Sequence, residues 1–166
     1  AMGPVAEAIA ARSLTLEPAR RDTLDGLLES AREPTRGFLQ KNAGAAETIL
    51  FRDGWLTEAS SSNVWIAHEG ALLGPPKSEH VLEGIRYDLL RELCEDAGIA
   101  YNLRPIAEAD VTSADEVLLS SATKEVLPVT SLDGQPVGHG ALRGKPGPVY
   151  ARLYEAYQRA KATQSI

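Results

Sequence analysis

An α+β domain is predicted for this 166-residue chain, and three observations predict it. Apolar residues recur at helical spacing over the first forty or so positions, short strand-like runs broken by turn dipeptides follow, and helical and strand-like segments then alternate to the end. The change of pattern falls near Gly44. It divides the sequence into a helical segment, residues 1–43, and a mixed domain, residues 44–166.

From Pro4 to Asn42 the apolar residues Val5, Ile9 and Leu14, then Leu24, Leu27 and Leu28, and later Phe38 and Leu39 predict two or three short helices. Pro18 and Pro34 break the run, and Gly26 and Gly37 weaken its interior. Beyond Gly44, Glu47 to Arg52 and Trp55 to Thr57 flank Asp53-Gly54, the turn dipeptide of a tight hairpin. Asn63 to His68 and Ala71 to Gly74 flank Glu69-Gly70 in the same way, and the four strands together suggest an antiparallel sheet. Pro75-Pro76 ends that unit. Ile85, Leu89, Leu90, Leu93 and Cys94 then line one face of a helix over Glu83 to Ala97, stopped by Gly98. Ile99 to Arg104 reads as a strand, Ala107 to Ser113 as a short helix, and Glu116 to Ser120 and Val126 to Ser131 as strands before the Asp133-Gly134 turn. A last helix opens at Pro148, a residue suited to a first helical turn, and runs to about Ala160.

Seventeen Lys and Arg against 23 Asp and Glu give a net charge of -6, so the chain offers no basic field for nucleic acid or anionic lipid. No apolar run approaches the roughly 18 residues of a membrane-spanning helix. The one cysteine, Cys94, excludes an internal disulfide and, with no secretory signal pattern, points to the cytoplasm. Cys94 sits on the apolar face of its helix and reads as core. Trp55 and Trp65 read as packing residues in paired strands. His68, His80 and His139 are dispersed, without the spacing of metal ligands.

Three stretches carry chemistry. In Thr57-Glu58-Ala59-Ser60-Ser61-Ser62-Asn63, four small polar residues in a row are poor strand formers and strong hydrogen-bonders; something must use their donors if they are buried, although composition alone also reads as a polar loop. In Leu82-Glu83-Gly84-Ile85-Arg86, a glycine at a helix entry lets a ligand approach the backbone, and the free amides of Ile85 and Arg86 suit an anion such as phosphate. The plainer alternative is a glycine that only shapes the entry. In Ser120-Ser121-Ala122-Thr123-Lys124-Glu125, hydroxyls and amides follow a buried strand, as an anion site or a simple turn would have them.

In this order and spacing the stretches resemble the class IV family of pyridoxal-phosphate aminotransferases, those acting on D-amino acids and branched-chain amino acids. The resemblance runs from about Glu47 to about Tyr157 and includes Phe51-Arg52-Asp53-Gly54, the Thr-Glu-Ala-Ser-Ser-Ser-Asn run, Leu82-Glu83-Gly84-Ile85 and the segment from Ser121 to Val129. Asp133 to Val137 and Gly147-Pro148-Val149 are similar to the ends of D-amino-acid aminotransferases. The resemblance implies the C-terminal large domain of that fold, a homodimer, and pyridoxal phosphate as cofactor. It implies that Glu58 pairs with the cofactor's pyridine nitrogen, that Leu82 packs on the ring, and that Gly84 and the amides of Ile85 and Arg86 receive the phosphate. Ser121, the Ala122 amide and the Thr123 hydroxyl would complete the phosphate cup, and Ser61 and Asn63 would orient the cofactor's neighbours.

Three departures accompany the resemblance. Arg86 and Ala122 stand where threonines are usual. The Schiff-base lysine of the family lies upstream of the glutamate in an Asp-Ile-Lys segment, and the comparable neighbourhood here, Arg21 to Leu28, holds no lysine. The family's small N-terminal domain, which supplies most contacts to the substrate carboxylate, has no counterpart in the sequence. The implied reaction is amino transfer between a D-amino acid, or a branched-chain amino acid, and a 2-oxo acid. The alternatives are a non-catalytic binding or scaffold domain derived from the family, and an enzyme resembling aminodeoxychorismate lyase.

Overall fold

The computed structural model describes residues 9–16, 46–78, 81, 86–122 and 125–164, with 9–16, 86 and 164 described by backbone alone. Nine strands form one mixed sheet: β1 (Ile9–Leu16), β2 (Glu47–Arg52), β3 (Trp55–Ala59), β4 (Asn63–His68), β5 (Ala71–Gly74), β6 (Tyr101–Leu103), β7 (Glu116–Ser121), β8 (Glu125–Leu132) and β9 (Gln135–Pro136). The helices are α1 (Arg86–Ala97), α2 (Glu108–Thr112) and α3 (Pro148–Gln164), with a 3₁₀ turn at Gly140–Leu142. The sheet order is β3-β2-β1-β8-β7-β4-β5-β6, and β9 pairs with β8.

The three dipeptide turns form as their residues require. Asp53-Gly54, Glu69-Gly70 and Asp133-Gly134 all have positive φ at both positions, from 49° to 80°, which is the type I′ geometry whose twist matches a two-residue hairpin. Gly98, at φ 67°, ends α1 in the left-handed conformation expected of a helix-terminating glycine.

Two expectations are corrected. Residues 9–16, expected to be helical, form β1, paired in parallel with β2 on one side and β8 on the other. Ala, Arg and Leu favour helix locally, but partners on both edges satisfy the backbone of Ile9–Leu16 and outweigh that propensity. β1 thus lies in the same sheet as the strands after Gly44. The rest of the helical expectation for residues 1–43 falls outside the described residues. The two hairpins, expected to pair with each other, are separated by β1, β8 and β7. Hairpin turns specify only neighbouring strands, and the order beyond them is set by which apolar faces can be buried together.

Alternate residues of the central strands feed two cores. Val64, Ile66, Val117 and Leu119 join Ile49, Phe51, Leu56, Ile106 and Val129 on one face. Trp65, Ala67 and Leu118 pack on the other face beneath Tyr87, Leu90 and Cys94 of α1 and Leu153 and Tyr157 of α3. The β3 edge is covered by the segment before α2: Leu56 N donates to Ile106 O at 2.8 Å, Glu108 N to Gly54 O at 3.2 Å, and Trp55 bridges to Ala107. Trp65 and Cys94 are fully buried, as their core reading requires, whereas Trp55 is half exposed beside its turn.

Helix α3 is tied to the sheet by Glu116, only 6% exposed at the start of β7. Its two carboxylate oxygens accept from Val149 N at 2.8 Å and Tyr150 N at 2.9 Å, satisfying amides in the first turn of the helix. Burial pushes the Glu116 carboxyl above its usual range, and the two amides oppose that shift. The close approach requires Gly147, where a Cβ would lie 2.3 Å from Glu116 Cδ.

Candidate functional site

Glu58 lies near the end of β3, where the strand is irregular. Ile49 pairs with Ala59 and Phe51 with Leu56, so Leu50 alone faces both Thr57 and Glu58. This bulge re-aims the side chains near the strand end, a common device beside functional sites. Thr57 Oγ1 donates to Leu50 O at 3.0 Å and holds the bulge, and Glu58 is half-buried.

A three-residue turn carries the chain from β3 to β4. Ala59 N donates to Ser62 O at 2.8 Å and Ser60 N to Thr48 O at 2.9 Å. The donors of the serine run are used by Glu47, a fully buried residue at the start of β2 that the sequence marks only as part of a strand. Ser60 Oγ and Ser61 N donate to its Oε1, the latter at 3.0 Å; Ser61 Oγ and Ser62 Oγ donate to Oε2 at 2.6 and 3.1 Å. The Ser61 hydroxyl therefore faces the Glu47 carboxylate. The signal for this was in the sequence, since a row of small donors requires an acceptor, but nothing in the local pattern said which acid it was.

Asn63, 7% exposed, opens β4 directly opposite Ser120 of β7. The register thus connects the end of the strand bearing Glu58, through the serine turn, to Ser121 and Ala122 at the end of β7. Ser121 is half-buried and Ala122 exposed. The same region reaches the start of α1 through Trp65. The Trp65 Nε1 donates to Ser120 Oγ at 2.8 Å, its ring centroid lies 4.6 Å from that of Tyr87, and Tyr87 Oη donates to Pro75 O at 3.3 Å. Arg86, the first residue of α1, adjoins Tyr87. Leu82, Gly84, Ile85 and Thr123 lie outside the described residues.

After Ala122 the chain re-enters the sheet at Glu125, whose φ of 56° is left-handed and uncommon for a residue with a side chain. Its carboxylate accepts from Lys161 Nζ at 2.6 Å and Gln158 Nε2 at 3.3 Å, both on α3, and the bond from Lys161 raises the pKa of that lysine. A hollow of about 440 Å³ lies along the β3 edge, lined by Trp55, Leu56, Thr57, Pro75, Pro76 and Val81 among others; of the described site residues Glu58, Ser61, Asn63, Ser121 and Ala122, none lines it. Among the described residues no group of three or more acidic, His or Cys side chains is arranged to hold a metal, and no helix is long and apolar enough to cross a membrane.

By residue type the region offers the half-buried Glu58 carboxyl, the Asn63 side-chain amide, the Ser121 hydroxyl and the Ala122 backbone. A carboxyl suits a basic ring nitrogen, and hydroxyl and backbone donors suit an anion; pyridoxal phosphate carries both kinds of group.

Comparison with known proteins gives a consistent result. Residues 38–132 match the family model described as amino-transferase class IV. The D-alanine aminotransferase of Bacillus licheniformis is 39% identical over 120 residues, 72% of this chain and 41% of that protein. A probable branched-chain-amino-acid aminotransferase of Aquifex aeolicus is 32% identical over 145 residues, 86% of this chain and 44% of that protein. Among solved structures, the branched-chain amino acid aminotransferase from Escherichia coli is 26% identical with a TM-score of 0.73, over 91% of this chain and 52% of that one. Another branched-chain amino acid aminotransferase, from T.th. and complexed with N-(5'-phosphopyridoxyl)-L-glutamate, is 25% identical with a TM-score of 0.76, over 92% of this chain and 51% of that one. The chain spans about two fifths of the length of the curated relatives it matches and corresponds to the C-terminal part of these enzymes.

Proposed function

Because the chain belongs to the class IV aminotransferase family, we propose that it is the cofactor-binding portion of a pyridoxal-phosphate-dependent aminotransferase that moves an amino group between a D-amino acid and a 2-oxo acid. The observation that carries this reading is Glu58 on its β3 bulge, joined by the serine turn and the β4–β7 register to the Ser121-Ala122 strand end. Identity of 39% to a D-alanine aminotransferase supports the D-amino-acid branch, and the branched-chain relatives make branched-chain amino acids the other substrate class.

When bound, the cofactor supplies an electron sink for the charge that develops as an amino acid loses its α proton. The Glu58 carboxylate favours a proton on the ring nitrogen by placing a negative charge beside it. The start of α1, with the amides of Ile85 and Arg86, and the turn of Ser121, Ala122 and Thr123 grip the phosphate, while Leu82 packs on the ring and Gly84 lets the backbone come close. Arg86 stands where the family's threonine is usual and would offer a cation to that anion if its side chain turned toward it. Asn63 and Ser61 orient the surrounding side chains. The working form is a cytoplasmic homodimer.

The absence of a lysine from Arg21 to Leu28 favours a second reading, a domain that keeps the cofactor grip without the transfer chemistry. Adding pyridoxal phosphate, reducing with borohydride and mapping the product separates the two. Covalent label on one lysine is the result expected of an aminotransferase. Reversible binding without label identifies the non-catalytic form, and no binding at all contradicts both.

A further inference from the structure

Glu47 is an acidic side chain with 0% exposure, a rare placement for this residue type. A carboxylate can be buried only where hydrogen bonds replace its water, and bonds to an ionised acceptor are stronger than neutral ones. Here three consecutive hydroxyls and one amide, all from Ser60, Ser61 and Ser62, converge on its two oxygens. Serine hydroxyls rotate freely and could each face solvent or a ligand. Turned inward on one carboxylate, they make the turn a single unit anchored to the first residue of β2.

That unit lies between two residues of the site, with Glu58 two positions before Ser60 and Asn63 directly after Ser62. The bulge of β3 sets Thr57 and Glu58 together opposite Leu50, so what fixes the chain on either side of the bulge contributes to the direction of Glu58. Thr57 fixes the near side through Leu50, and Glu47 fixes the far side through the serines. We infer that Glu47 is a positioning residue: through the Ser60-Ser61-Ser62 turn it sets where Glu58 and Asn63 point, and thereby sets the strength and protonation of the cofactor contact. The cofactor half of this inference rests on the proposed function, whereas the link from Glu47 to Glu58 does not.

The test uses the full chain and its Glu47→Gln variant, which keeps the side-chain volume and one acceptor oxygen but removes the charge. Resonances of the Glu58 carboxyl and the Asn63 side-chain amide are followed by NMR, and pyridoxal phosphate affinity is measured by titration. The Glu58 and Asn63 resonances shift in Glu47→Gln, those of the β4–β5 turn stay in place, and affinity falls on the order of tenfold or more, as misplacement of a binding group predicts. A purely structural role would lower stability without moving those two residues. The paired variant Ser61→Ala with Ser62→Ala removes the partners of Glu47 from the more exposed side and gives the same pattern if Glu47→Gln does not fold. Unshifted Glu58 and Asn63 resonances, or shifted resonances with unchanged affinity, overturn the inference. Shifted resonances in a chain that never binds pyridoxal phosphate uphold the link to Glu58 and overturn the proposed function.

Discussion

The indole of Trp65 donates to Ser120 Oγ at 2.8 Å, and neither side chain is more than 1% exposed. This bond joins β4 to β7 one residue before Ser121, while the same indole packs on Tyr87 one residue after Arg86. The two parts of the proposed phosphate cup are therefore tied to one side chain.

Trp65→Phe leaves the Ser120 hydroxyl buried without its donor and is expected to destabilise the fold by about 1–3 kcal/mol, measured by denaturant unfolding. Adding Ser120→Ala removes the orphaned group, so the double variant is expected to lose less than the sum of the single ones. Gly74→Ala strikes the same post from another side, because its Cβ would lie 2.4 Å from the Trp65 ring. A variant as stable as the parent would show that the indole moves freely.

Gly147→Ala is expected to cost about 2–4 kcal/mol, since its Cβ would overlap the Glu116 side chain and displace it from the amides of Val149 and Tyr150. Much of the loss is expected to be already present in Glu116→Ala, so thermal unfolding of the pair tests whether the two changes act through one contact.

Burial pushes the Cys94 thiol up to about 12, with Arg152 partly opposing the shift. The thiol is therefore expected to resist alkylation at pH 8 in the folded chain and to react once the chain is unfolded. The folded value exceeds the ordinary 9.0, so the stability due to the neutral thiol is complete below pH 9 and is lost as pH rises toward about 12. Tyr101, raised from 10.0 to about 12 chiefly by burial, acts in the same direction over the upper part of that range. Cys94→Ala is expected to flatten the alkaline fall in unfolding free energy between pH 9 and 10, where the thiol is the first of the two to respond.

Local rules made the hairpins readable. Asp53-Gly54 and Asp133-Gly134 demand left-handed backbone, and that demand is satisfied in only a few ways. The stop of α1 at Gly98 and the start of α3 at Pro148 follow from equally local chemistry. β1 was not readable, because Ile9–Leu16 becomes a strand only through partners more than thirty residues away in β2 and more than a hundred away in β8. The site divides similarly. Glu58, Asn63 and Ser121 are singled out by the resemblance to the family, since composition alone also reads as a polar loop and a simple turn, whereas Glu47 reads as an ordinary strand end until the serine turn folds onto it. Glu116 reads as a strand start and Gly147 as part of a segment similar to D-amino-acid aminotransferases; thirty-one residues apart, they show their contact only when the chain is folded.

The contact proposed between Glu58 and the cofactor is tested by following the ring nitrogen of ¹⁵N-labelled pyridoxal phosphate bound to the parent chain and to Glu58→Gln, by NMR across neutral pH. A protonated nitrogen is expected in the parent and, in the variant, weaker binding with the nitrogen shifted toward its unprotonated form. Equal affinity and an identical nitrogen shift in the two proteins would contradict that contact.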